Sequence, residues 1–477
     1  MRSKFAALSL PAASTIFLLL CSCSKKMEQH LVPAGSPIAD SIQFEYAVYM
    51  LPTRAKNPSV VLRELMAKKY ASLKLVGEIS DSPREMVLSA RLQNHVQQEY
   101  APPDMESLQY SGYGLSQEQA RALQKSEEAF ILQFSHPKNN VWTGLRNANA
   151  LVEEIARKTK GLVWDGETRE VFTPDAWHEK RLRPWSGDVP DISSQTVVQT
   201  YKKGELVRAI TLGMKKVGLP DVIMDDFPWS SEDKVGNLIN LFCQSMAEGA
   251  VFKESGKFSL KPSEIKNSEV RDARLKSLKG NSTGVAHLLL KPGVWEEGDP
   301  KNRLIHLTAE RYVGNDVPAK QERMLSCLFG WEDKITAVEH NDELLEESHK
   351  ERAKLPQLQK DFNAGLQPGE FILVKAPFKT PDGGNEWMWV EVTFWKGNLI
   401  RGTLQNEPYN IPDLHSGQVV EVWQGDVFDY IREYPDNRRE GNTTGEIIRK
   451  MDNKQASSTA SRKQASSQPR TADCSPD

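Results

Sequence analysis

The chain has 477 residues, with 61 Lys and Arg against 64 Asp and Glu and a formal charge of −3 at pH 7. That mildly acidic balance lacks the basic excess of a nucleic-acid-binding surface, so no nucleic acid partner is expected. The length suffices for about three domains at roughly 150 residues each, and 5 cysteines in so long a chain make no disulfide framework.

Arg2 and Lys4 precede an apolar run over 5–20, which ends in Leu20, Cys21, Ser22 and Cys23. A charged start, a short apolar stretch and small residues before a cut describe a secretory signal too short for a spanning helix. The ending resembles a bacterial lipoprotein signal, whose box holds an aliphatic residue, two small residues and the acylated cysteine. The resemblance makes 1–22 the signal peptide and Cys23 the lipidation site. It implies a membrane anchor of several acyl chains, each buried methylene contributing about 0.8 kcal/mol. Ser24, where an aspartate would retain a Gram-negative lipoprotein at the inner membrane, points in a Gram-negative host to the outer membrane facing the periplasm. No other apolar run approaches the roughly 18 residues of a spanning helix. Residues 23–41, with Pro33, Gly35, Ser36 and Pro37, read as a polar tether.

Residues 42–190 alternate strand and helix patterns. Strands are expected over 44–51, 73–79, 129–134 and 162–164, and helices over 59–70, 116–128 and 145–160, the last closed by Gly161. Without a glycine-rich strand-to-helix turn this is an α+β unit and not a nucleotide-binding sheet. A second α+β unit over 194–335 starts with a hairpin, 196–201 and 206–214 about a Lys202-Lys203-Gly204 turn. A helix over 230–248 follows, with Ser230 and Ser231 available as caps, then strands over 285–290 and 304–312. Cys243 and Cys327 read as buried helical thiols, inert in the core, with a bridge between them as the alternative. Residues 336–367 form a charged helical connector that Pro356 must kink or divide. Beyond 450 the composition turns to Lys, Gln, Ala, Ser, Arg and Pro, so 451–477 reads as a disordered tail that buries nothing.

Between these lie 368–450, where 371–375 (FILVK), 386–390 (EWMWV), 402–408 (GTLQNEP), 417–420 (GQVV), 426–430 (DVFDY) and 441–445 (GNTTG) occur in order. This segment resembles a small bacterial family known as domain of unknown function 2314. Trp387 stands where the family often has histidine, and Tyr430 where tryptophan is common. The resemblance implies a bacterial protein and no defined activity.

In the 386–395 strand a period of two places Met388, Val390, Val392 and Phe394 on one face. Trp387, Trp389, Glu391, Thr393 and Trp395 then share the other. With the return strand over 399–404 and another over 419–423, the segment has the makings of a small SH3-like β-barrel. The expected fold is thus α+β and multidomain, two α+β units followed by that barrel. Trp387, Trp389, Glu391, Trp395 and Asn406 are the candidate ligand-binding residues, for an extended peptide, a protein or a glycan. The alternative for the Trp face is burial under the 339–364 helix or another domain.

No paired histidines at helical spacing, Cys-x-x-Cys, phosphate loop or nucleophile elbow is present, so neither metal nor cofactor is expected. Asp225-Asp226 and Glu296-Glu297 are adjacent carboxylates that read as solvated loop charge. Glu391 is the one carboxylate whose aromatic setting would raise its pKa on burial. The leading expectation is a lipid-anchored, non-catalytic binding protein of the cell envelope. An envelope hydrolase would use Glu391 with Asp429 near Asn406, and toxin immunity or stress protection would need a neighbouring toxin gene.

Overall fold

Three separate β-sheets, each with its own helical cover, follow one another along the computed structural model, which describes residues 30–52, 56–331, 342–449 and 474. The signal 1–22, Cys23, the start of the connector and all of the tail but Cys474 lie outside the described residues. Those described from Leu31 onward belong to one compact unit. None of their helices is long and apolar enough to cross a membrane.

The first sheet has seven strands in the order Lys74–Leu75, Val87–Asn94, Glu128–Pro137, Ser41–Met50, Leu162–Asp165, Glu170–Phe172, Gly112–Tyr113. Its central pair, Ser41–Met50 on Glu128–Pro137, is antiparallel over ten residues. Alternation along Ser41–Met50 turns Ile42, Phe44, Tyr46 and Val48 toward the helix Val141–Thr159, whose Leu145, Ala148, Val152 and Ile155 recur at the 3–4 residue spacing that makes one apolar stripe. Lys160 takes the left-handed cap conformation expected of its neighbour. Gly161 is needed instead for clearance, since a Cβ there would meet the Tyr49 carbonyl. The helix over Gln117–Leu123 starts with a complete capping box between Ser116 and Gln119.

The second sheet runs Lys257–Leu260, Ala286–Pro292, Leu304–Thr308, Asp221–Phe227, Leu206–Leu212, Val197–Lys203, with one parallel pair, Asp221–Phe227 on Leu304–Thr308. The predicted hairpin turns on Gly204 at positive φ. Helices Glu232–Ala247 and Val317–Phe329 cover the sheet. One apolar cluster holds buried residues of both the first and the second sheet, from Ile42 to Leu328, so the two sheets share a core.

Across that shared core lies a group of buried charges. Arg181 donates to Asp165, Glu170 and Thr168 and to the Ser194 carbonyl, and Lys216 donates to Asp165 from the other side at 2.5 Å. Burial raises the Asp165 carboxyl, but the Lys216 and Arg181 charges outweigh it and hold the group below its ordinary range. Burial also pushes Lys216 down to about 8, against the pull of Asp165. Lys216 sits in the 213–218 loop of the second sheet and Asp165 ends a strand of the first, so this network fixes one sheet on the other.

Two expectations need correction. The tether is docked from Leu31 on: Val32 N–H bonds to the Leu290 carbonyl, Gly35 pairs with Phe252, and Ala39 N–H reaches the Gly218 carbonyl. Cys327 is not an inert thiol, because it is disulfide-bonded to Cys474, 147 residues away in sequence. Cys243 is free and buried as expected, and burial lifts its pKa well above the ordinary thiol value.

The third sheet is antiparallel and open, in the order Val419–Trp423, Leu399–Leu404, Asn385–Lys396, Phe371–Lys379, Asp429–Glu433, Arg439–Gly441. Its two outermost strands do not pair with each other, so no closed barrel forms among the described residues. One face packs Ile372, Val374, Val390, Ile400 and Leu404 against Leu355 and Leu358 of the helix Leu355–Ala364. Pro356 divides the charged segment as expected, starting this helix just after Asp342–Arg352 ends.

Candidate binding site on the C-terminal sheet

The strand carrying the tryptophans does not keep its period of two. Val392 pairs with Gly402 but Phe394 pairs with Arg401, leaving Thr393 as an extra residue in a β-bulge. Every side chain beyond the bulge changes face. Trp395 therefore joins Met388, Val390 and Val392 in the core, 2% exposed, with its indole N–H on Gln424 Oε1 at 3.1 Å. Phe394 turns outward instead, beneath the Arg401 guanidinium, which pairs with Glu205 of the second sheet. Gly402 permits the close approach, since a Cβ at that position would collide with the Glu391 carbonyl.

Trp387, Trp389 and Glu391 remain together on the other face, and the chain covers both ends of the row. Trp387 packs on Phe428 with ring centroids 4.9 Å apart, in a cluster with Leu344 of the Asp342–Arg352 helix and Ile448. Trp389, half-buried, has its backbone N–H on Asn406 Oδ1 at 2.9 Å and the Lys375 ammonium 5.8 Å from its ring. Asn406 thus acts as a backbone latch between the strand and the 405–410 loop. Lys375 also stands opposite Asp429; burial lowers its pKa and the Asp429 charge opposes that.

Glu391 is only 2% exposed, and burial pushes its pKa up to about 7 against the bonds from Ser230 and Trp229. Its Oε2 accepts from Ser230 N–H at 3.2 Å and from the Gln405 amide at 3.4 Å, while Ser230 Oγ bonds to Gln405 Oε1 at 3.0 Å. Ser230 lies one residue before the cap Ser231 of the helix Glu232–Ala247. Glu391 therefore fills the positive end of a helix from a different sheet, where free N–H groups favour a carboxylate. Spacing alone made Ser230 a local helix cap; its N–H is instead met by a carboxylate 161 residues on.

Asp429 has separate partners. Its carboxylate accepts from Tyr430 N–H at 2.7 Å and from both the N–H and the hydroxyl of Thr444. Burial raises its pKa, with the Thr444 bond acting the other way. Neither carboxylate shares a hydrogen-bond partner with the other. Asp225 and Glu296, each from an adjacent acidic pair, meet on the buried Arg208, which also binds Asp299 at 2.7 Å. They are tied into an ion-pair network rather than left as loop charge, a convergence that sequence distance concealed. Among the described residues no group of three or more His, Cys, Asp or Glu is placed to hold a metal ion.

An open groove of about 680 Å³ runs beside the bulge, between the Lys202–Glu205 hairpin turn, the Phe362 end of the Leu355–Ala364 helix and the Phe394–Gly397 turn. Trp395 forms part of its wall, with Phe362 6.4 Å from the indole and the Lys202 ammonium 5.2 Å from the Phe362 ring. Among the described residues this groove is an aromatic-lined opening at the C-terminal sheet.

Residues 359–463 match a family described as an uncharacterized protein conserved in bacteria (DUF2314). The match takes in the third sheet and the second half of the helix beneath it, and it carries the bulge, Glu391 and Asp429. No curated protein and no solved structure matches the chain.

Proposed function

We propose that this is a lipid-anchored protein of the bacterial cell envelope that binds a partner without transforming it, with the 368–450 segment as one recognition module. The observation that carries the non-catalytic reading is the separate employment of Glu391 and Asp429: one caps a helix of the second sheet, the other holds the Thr444 backbone. A general acid and base need a shared substrate position within hydrogen-bond reach of both. The groove beside the buried Trp395, with half-buried Phe362 and Phe394 along its edge, suits an extended peptide or glycan chain.

The anchor rests on the fit of Leu20 to Cys23 to the lipoprotein box, with acylation at Cys23 following from it and, in a Gram-negative host, Ser24 directing the protein to the outer membrane. Fractionation tests it, because Cys23→Ala should abolish incorporation of labelled palmitate and leave nothing of the mature size in the membrane pellet. Labelling that persists in the variant would end the anchor reading. Capture of partners from solubilised envelopes, compared between the parent and Phe362→Ala, tests the groove; equal capture would remove it as the binding surface.

A further inference from the structure

A second opening, of about 580 Å³, lies at the far edge of the second sheet, where the Glu232–Ala247 helix ends and the Lys257–Leu260 strand begins. Its size falls in the range of small-ligand sites, about 300–1,000 Å³. Five cations, Lys253, Lys257, Lys261, Lys266 and Arg311, line it against three carboxylates. Glu248, one of the three, is spent on the Lys266 and Asn267 N–H groups and the Gln244 amide. The other two, Glu254 and Glu264, pair with Lys257 at 3.0 Å and Lys261 at 2.7 Å, in exposed pairs of the kind that contribute little.

Among the described residues Arg311 and Lys253 have no hydrogen-bond or ion-pair partner. His287 completes the rim with its Nδ1 2.9 Å from Ser259 Oγ, which leaves Nε2 for a ligand. The opening also has an apolar side: half-buried Phe258 packs edge-on against Phe242 and Phe252, and Val251 is 54% exposed. A cationic recess next to an exposed apolar edge is the arrangement that receives an anionic group attached to a hydrocarbon.

Its position along the chain adds to this. The docked N-terminal stretch meets the turn between two lining residues, Glu254 and Lys257, since Gly256 N–H and Ser255 Oγ both donate to the Val32 carbonyl, at 2.8 and 3.0 Å. An extended chain from Cys23 to Leu31 spans at most about 28 Å. If Cys23 carries lipid, the pocket is held within that reach of the headgroup layer.

We propose that this pocket binds a phosphate ester, with the headgroup of an acidic phospholipid beside the anchor as its source. The lipid source rests on the anchor reading above, whereas the recognition of phosphate does not. The chain from residue 23 carrying Cys23→Ala retains the whole compact unit and removes the acyl chains. It should bind glycerol 1-phosphate in a calorimetric titration, and sediment with vesicles of phosphatidylcholine containing phosphatidylglycerol but not with phosphatidylcholine alone.

Lys253→Ala with Arg311→Ala should weaken both interactions at least tenfold. Lys69→Ala with Lys74→Ala, which removes the same charge from the first sheet, should leave them unchanged. Absence of phosphate binding by the parent chain, or equal loss in the two double variants, would overturn the pocket. Phosphate binding that depends on Arg311 without vesicle binding would overturn the headgroup source and leave a soluble phosphate ester as the ligand. The Cys23→Ala fractionation reads the anchor separately, so the two failures are distinguishable.

Discussion

Removing the C-terminal tail should destabilise the protein, because Cys474 is bonded to Cys327 in the core helix Val317–Phe329. The bond closes a loop over a sequence separation of 147, for which the chain-entropy relation gives about 5 kcal/mol at 25 °C as an upper figure. Native disulfides commonly deliver about 2–4 kcal/mol, and Cys474 also packs on the apolar core, so a loss of about 3–5 kcal/mol is expected. Deleting 453–477, or replacing Cys474 with Ser, should each lower the midpoint of denaturant unfolding by this amount under oxidising conditions. Reduced parent protein should behave as Cys474→Ser does, because the bond and not the polar tail supplies the stability. Deleting 453–477 with no change in midpoint, together with a Cys327 thiol titratable in the unfolded parent without reductant, would refute the reasoning.

Glu391→Gln should flatten the pH dependence of stability. A carboxyl whose folded pKa is raised from 4.5 to about 7 contributes stability that is present below pH 4.5 and lost as pH rises through 7. The difference between variant and parent should thus move in the variant's favour by roughly 3 kcal/mol from pH 4.5 to pH 8, and a constant difference in unfolding free energy would count against it. Asp165→Asn should cost about 3–5 kcal/mol, since it leaves Lys216 and Arg181 buried without their shared counter-charge; a loss under 1 kcal/mol in urea unfolding would dismiss the network as a structural joint. Trp395→Ala should cost about 3–5 kcal/mol as a core truncation and the half-buried Trp387→Ala clearly less. The reverse order in thermal unfolding would return Trp395 to the outer face.

Elements whose periodicity and caps lie within a few residues were legible in the sequence. The start of the helix Gln117–Leu123 is announced by Ser116, although it ends at Leu123 and not at 128, the hairpin by Gly204, and the break in the charged helix by Pro356. What escaped depends on partners far away in the chain. Thr393 looks like any strand residue, and the bulge it makes is set by Gly402 on the neighbouring strand. A glycine opposite the middle of a long strand is the only signal that pointed there. The docking of residues 31–39 was hidden because their bonds run through backbone groups, which composition does not report.

The same limit explains why the tryptophans and Glu391 looked like a site. Burial raises a carboxyl pKa whether the group is poised for catalysis or serves a structural contact, so an aromatic setting marks desolvation and not use. What separates the two is the partner. Glu391 meets the Ser230 N–H at the start of a helix on another sheet, with Gln405 bridging the same pair. A group so engaged gains nothing from solvent access, whereas Arg311 and Lys253 stand in an opening without a hydrogen-bond or ion-pair partner among the described residues. In a protein whose buried charges are so largely paired, unspent cations beside an opening carry more information about binding than a shifted carboxylate does. That contrast is physical: a paired buried charge has already recovered its desolvation cost within the fold, whereas Lys253 and Arg311, exposed and half-buried, keep their water and can exchange it for the oxygens of an anion.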